Sequence, residues 1–135
     1  MFWQFKRRSV RGLLLKSAKV GNLRLARKAL SLGAPADTRD VHGRTPLCLA
    51  VKKNHADMIR LLVEAGADVN YKLSYGRTPI YQAIHYGSLD TVKLLIKLGA
   101  NIAVQDNTGL TPYSYAKSHY NQAMAAVLKT DVSAE

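Results

Sequence analysis

The sequence predicts an all-α fold, a solenoid of about four stacked helix-turn-helix units. Two markers predict it. Gly43-Arg44-Thr45-Pro46 returns as Gly76-Arg77-Thr78-Pro79 and, with one change, as Gly109-Leu110-Thr111-Pro112, each time after 33 residues. Gly33-Ala34, Gly66-Ala67 and Gly99-Ala100 keep the same 33-residue step. Two independent markers held at one period over three copies indicate stacked repeats, in which each unit has a buried face that only a neighbour can cover.

The first unit runs from about Gly12 through Leu13-Leu14-Leu15 and the turn Val20-Gly21-Asn22. Leu25, Ala26, Ala29 and Leu30 then recur at helical spacing up to Gly33. It lacks the Gly-x-Thr-Pro opening and reads as an atypical terminal repeat. In the second unit Thr45 can cap a helix whose first position, Pro46, loses no donor. Asn54-His55 makes a turn, Asp57 marks a second helix start, and Met58, Ile59, Leu61 and Leu62 form an apolar stripe ended by Gly66. The third unit repeats this with Thr78, Pro79, Ile80, Ala83, Asp90, Val92, Leu94, Leu95 and Ile96. The fourth does so with Thr111, Pro112, Tyr113 and Ala116, then a thinner second helix through Ala123, Met124, Val127 and Leu128. The organisation expected is a basic, aromatic cap segment over 1–11 and one repeat domain over 12–130, with units near 12–39, 40–72, 73–105 and 106–130. A polar tail over 131–135 follows.

A chain of 135 residues, 47% hydrophobic and 21% charged, has the length and composition of one folded domain. Apolar runs such as Leu13–Leu15 are too short to span a bilayer. The same run is also too short for the apolar core of a secretion signal, about 7–15 residues. A single cysteine, Cys48, allows no internal disulfide and fits a reducing compartment. The reading is therefore a cytoplasmic protein.

Charge is distributed unevenly. Residues 1–36 contain nine basic side chains and no acidic one: Lys6, Arg7, Arg8, Arg11, Lys16, Lys19, Arg24, Arg27 and Lys28. The rest holds eleven basic against nine acidic groups, so +9 of the net +11 sits at one end. Such a surface suits an acidic protein partner, or else nucleic acid or anionic lipid. Phe2, Trp3 and Phe5 read as a cover for the exposed end of the first repeat.

These residues resemble the ankyrin repeat family, whose pattern includes Thr-Pro-Leu-His-x-Ala at a 33-residue period. Thr45-Pro46-Leu47 with Ala50, Thr78-Pro79-Ile80 with Ala83, and Thr111-Pro112 with Ala116 match it. Gly66-Ala67-Asp68-Val69-Asn70 matches the family's unit ending. The chain departs at the family histidine, which is Cys48, Tyr81 and Ser114 here, so that tie between turns must be made differently. The Asp that starts the turn is Asp40 and Asp106 but Leu73 in the third unit, and that turn is expected to differ. Lys28 replaces the leucines Leu61 and Leu94 of later units.

Nothing points to catalysis. The histidines, His42, His55, His85 and His119, are too far apart in sequence for a helical zinc pair, and no phosphate loop or nucleophile elbow occurs. Cys48 is expected to pack between units and His55 to serve a structural role. The function expected is non-enzymatic capture of an acidic protein, as adaptor or inhibitor and without a cofactor. In that family the end of the first helix and the turn tips line a concave surface. The corresponding residues here are Arg44, Lys52, Lys53, Tyr75, Arg77, His85, Tyr86 and His119, with the third repeat at the centre because Tyr and Arg dominate interface energetics. The free protein is expected to be a monomer. The alternative is an anionic-surface binder, using residues 1–28 on nucleic acid or membrane lipid.

Overall fold

A computed structural model describes the backbone of residues 2–86, 88–119 and 121–133, and the side chains of residues 7–86, 88–119 and 121–129. Eight α-helices and no strand occur among them: α1 (Phe2–Val20), α2 (Leu23–Ser31), α3 (Pro46–Lys52), α4 (Ala56–Glu64), α5 (Pro79–His85), α6 (Leu89–Lys97), α7 (Pro112–Ser118) and α8 (Gln122–Ser133). The chain divides into two compact units, Met1–Asp68 with α1 to α4 and Val69–Glu135 with α5 to α8.

In the first unit α1 packs on α2 and α3, and α4 packs on α2 and α3. The buried face of α1 is Val10, Leu14 and Ala18 at i, i+4 spacing, against Ala26 and Ala29 of α2. Alanines at these contacts let the helix backbones approach closely. Leu47 through Val51 are all buried on α3, which is why that short helix needs no amphipathic period of its own. Cys48 packs there as expected, with 2% of its surface exposed. The second unit repeats the plan, with α5 on α6 and α7, and α8 on α6 and α7. Its core is Ile80, Tyr81, Ile84, Val92, Leu95, Met124 and Leu128.

Helix starts follow from short polar side chains. Thr45 Oγ1 accepts the Cys48 amide at 3.2 Å ahead of Pro46, and Thr111 Oγ1 accepts the Ser114 amide at 3.2 Å ahead of Pro112. Asn22, Ser88 and Asn121 cap α2, α6 and α8 in the same way. His55 precedes α4 without a side-chain cap, and its ring instead covers Gly21, where a Cβ would come within 2.9 Å of it. His55 is thus structural, and Gly21, at φ 79°, is required both for the turn and for that contact. A second ladder ties the loops: Asp37 accepts the Asp68 amide at 3.0 and 3.2 Å, and Asn70, one period later, accepts the Asn101 amide at 2.7 Å.

The turn aspartates organise their loops. Asp40 Oδ1 accepts the His42 and Arg44 amides, both at 2.9 Å, and Oδ2 takes Arg44 Nε at 2.8 Å. Asp106 Oδ1 accepts the Thr108 hydroxyl at 2.6 Å, the Thr108 amide at 2.9 Å and the Leu110 amide at 3.0 Å. The Thr108 hydroxyl, then the Leu110 amide, the Arg77 guanidinium and the Thr108 amide, hold the Asp106 carboxyl down at about 2 against the opposing effect of burial. Leu73 has no carboxylate to offer, and its turn closes differently, as a single 3₁₀ turn over Ser74–Gly76.

Two helices run past the bounds expected for the repeat domain. The first begins at Phe2, within the segment expected as a cap, since residues 2–11 contain neither Gly nor Pro to interrupt it. The polar tail expected from residue 131 is helical as far as Ser133, for the same reason. The aromatic cover assigned to Phe2, Trp3 and Phe5, and the Lys6 side chain, lie outside the described residues.

Gly12 lies exposed inside α1 with nothing within 4 Å of an added Cβ, so it costs helix stability without any compensating contact. Gly12→Ala is expected to raise stability by about 0.5–1 kcal/mol, seen as a thermal midpoint higher by a few degrees. The acid response has a definite sign. A carboxyl whose folded pKa lies below its unfolded value adds stability that is complete above the unfolded value and vanishes as pH falls through the folded one. With Asp106 at about 2 in the fold, Asp106→Asn is expected to be the less stable protein at neutral pH. In denaturant titrations the difference should disappear between about pH 4 and pH 2.

Candidate interaction surface

Within the second unit, the turn around Leu73 sets the geometry of the exposed face. Tyr75 adopts φ 63° and Gly76 φ 68°, so two successive residues are left-handed where the Asp40 turn has Gly43 alone, at φ 77°. For a residue with a side chain this costs about 1–2 kcal/mol. It is offset by a bond the other turn lacks: the Asn107 amide donates to the Tyr75 carbonyl at 2.8 Å. Glycine suits position 76 because its φ is left-handed and a Cβ there would crowd the Asn107 side chain and lie 3.2 Å from the Asn107 amide nitrogen.

Arg77 is redirected by the same change. Arg44 is held by Asp40 in its own turn, whereas Arg77 reaches the next turn and places Nε 3.2 Å from Asp106 Oδ2. Asp106 can accept it because the fourth residue of its own turn is Leu110 and not arginine. The Asp106 side chain is fully buried and that of Arg77 is 32% exposed, so the pair meets solvent only from the arginine side.

Aromatic rings flank that guanidinium. Its Cζ lies 4.9 Å from the Tyr115 ring centre and 5.5 Å from that of Tyr75, within cation–π range of both. Tyr115 continues the series: its ring is 4.2 Å from His119 and 5.5 Å, edge-on, from Tyr81. His85 stands 6.4 Å from His119 and 5.1 Å from Tyr86, again edge-on. His119 Nδ1 faces the Tyr115 carbonyl at 2.8 Å, which requires that nitrogen to carry the proton and donate. Tyr75, at 69%, and Tyr86, at 43%, are the exposed ends of this series.

Tyr81 fills the place of the family histidine and supplies the tie differently. Its hydroxyl lies 2.6 Å from the Leu110 carbonyl and 2.7 Å from the Val104 carbonyl, sharing its one proton between them. Burial, then the nearby Asp106 charge, pushes the Tyr81 hydroxyl up to about 12, so it stays a donor throughout the neutral range.

Of the residues singled out in the sequence, Tyr75, Arg77, His85, Tyr86 and His119 form one connected group in the second unit. Arg44, Lys52 and Lys53 belong to the first unit, where Arg44 is engaged by Asp40 and both lysines are exposed at the end of α3. The basic residues Arg7, Arg8, Arg11, Lys16, Lys19, Arg24, Arg27 and Lys28 are all exposed on α1 and α2. Sequence reasoning missed Tyr115, and it placed Asp106 at the start of its turn without foreseeing its pairing with Arg77. The signal for Tyr115 was its register with Leu49 and Gln82, which makes an aromatic there a departure. Among the described residues no cluster of three or more His, Cys, Asp or Glu could hold a metal, and no helix is long and apolar enough to cross a membrane.

No curated protein matches the chain. A family model described as ankyrin repeats (3 copies) matches residues 13–106 and again 71–134, so together the matches cover nearly the whole sequence. The chain belongs to the ankyrin repeat family.

Proposed function

We propose that this chain is a non-enzymatic adaptor or inhibitor that captures an acidic protein through the surface formed by Tyr75, Arg77, His85, Tyr86 and His119. Ankyrin repeats are protein–protein interaction modules, which supports the general reading. The observation that carries the finer one is Arg77, anchored by Asp106 with Tyr75 and Tyr115 flanking it while Tyr75 and Tyr86 remain exposed. A guanidinium already held in place loses little freedom when it meets a carboxylate, and rigid exposed tyrosines supply contact area at low entropic cost. Arg44, Lys52, Lys53 and the basic first repeat add long-range attraction, which raises the rate of encounter with an acidic partner more than the final affinity. A monomeric, cytoplasmic protein is the setting this reading assumes.

The experiment is capture from nuclease-treated native lysate at low and high salt, followed by affinity measurements on the partner recovered. Tyr75→Ala and Tyr86→Ala are each expected to weaken binding about 30-fold, the effect of losing a hot-spot tyrosine, with only mild salt dependence. An affinity unchanged in both variants would remove the assignment of this surface. Binding that collapses with salt and ignores Tyr86→Ala would instead favour an anionic surface, nucleic acid or lipid, held by residues 1–28.

A further inference from the structure

A groove of about 320 Å³ runs along α1 beside the turn that follows α2, lined by Arg7, Val10, Arg11, Gly33 and Pro35. Arg7 and Arg11 are one helical turn apart on the same side of α1, and Val10, only 8% exposed, lies between them in the lining. Arginines beside a helix C-terminus commonly serve its carbonyls. Here that role is filled: the carbonyls of Lys28, Ala29 and Leu30 accept the amides of Leu32, Ala34 and Gly33 at 3.0 Å each. Neither arginine takes part in the ion pairs found among the described residues, and residues 1–36 contain no carboxylate. Two like charges at this spacing repel each other and weaken the helix unless an anion sits between them.

We propose that this groove receives a phosphate monoester, carried on a phosphorylated serine or threonine of the acidic protein partner; the existence of that partner rests on the preceding proposal. A monoester carries about −1.5 to −2 charges and three strong acceptors, enough to engage two guanidinium forks at once, which a single carboxylate does less well. A membrane headgroup is disfavoured because Val10, Leu14 and Ala18, the apolar residues of α1 nearest the groove and beyond it, are already buried in the protein and cannot enter a bilayer. Nucleic acid is disfavoured because, among the described residues, the groove's own lining holds no aromatic ring on which a base could stack.

The full chain, isotopically labelled, is titrated with O-phospho-L-serine and, separately, with L-glutamate. The expected result is saturable NMR shifts at the Arg7 and Arg11 side chains and the Gly33 amide, about tenfold tighter for phosphoserine and absent in the Arg7→Gln/Arg11→Gln variant. Gln keeps helix propensity, and circular dichroism verifies that the variant is folded. Shifts spread over Arg8, Lys16 and Arg24 without saturation, or retained in the variant, would overturn the proposal. A second arm compares a degenerate peptide library with fixed central phosphoserine against vesicles containing a phosphoinositide; tighter binding to the vesicles overturns the assignment to a protein. Phosphatase treatment of a captured partner should weaken wild type but not the double variant. A partner that ignores phosphatase yet is lost on Tyr86→Ala overturns the groove while leaving the interaction surface standing.

Discussion

Arg77 bridges to Asp106 because two repeats depart from the same pattern in complementary ways. In the second repeat the turn is self-contained, with Asp40 holding Arg44 four residues on. The third repeat has the arginine and no aspartate; the fourth has the aspartate and no arginine, with Leu110 in its place. The two incomplete turns complete each other across 29 residues of sequence. An ion pair with one partner buried is weak evidence of stability on its own, because desolvation offsets its attraction. This one matters through what it positions, since its carboxylate is also the hub of the Asp106 turn and its guanidinium is also the contact for two aromatic rings.

The neighbouring substitutions agree with that arrangement. Without an aspartate the Leu73 turn winds tighter, turns the Tyr75 carbonyl to the Asn107 amide and leaves the Tyr75 ring exposed near the guanidinium. Tyr81, longer than the family histidine, spans to the carbonyls of Val104 and Leu110 and so braces the same loop from inside. The result is a face whose polar centre is fixed and whose rim is aromatic. A face held in this way would lose little conformational entropy if a partner met it.

The repeat period, the caps at Thr45 and Thr111 and the altered turn at Leu73 were all legible in the sequence, because each depends on local backbone chemistry. The partners were not. Leu73 and Leu110 were visible as departures, but their complementarity is a matter of distance between adjacent turns, which spacing alone does not give. Thr78 shows the limit from the other side: it stands where Thr45 and Thr111 stand, yet it makes no side-chain cap. Tyr115 went unnoticed because a buried aromatic on a helix ordinarily means core, and here it is both core and support for Arg77. The extent of α1 was missed for a simpler reason. The repeat pattern begins near residue 12, and helix continuity before it depends only on the absence of a breaker.

Arg77 pairs forward because Leu73 withholds a carboxylate. Double-mutant cycles between Arg77→Ala and Asp106→Asn, measured in the native background and again in Leu73→Asp, test it most directly. A favourable coupling is expected in the native protein, falling close to zero when Leu73→Asp gives Arg77 a partner in its own turn, as Asp40 does for Arg44. A coupling of the same size in both backgrounds would contradict it.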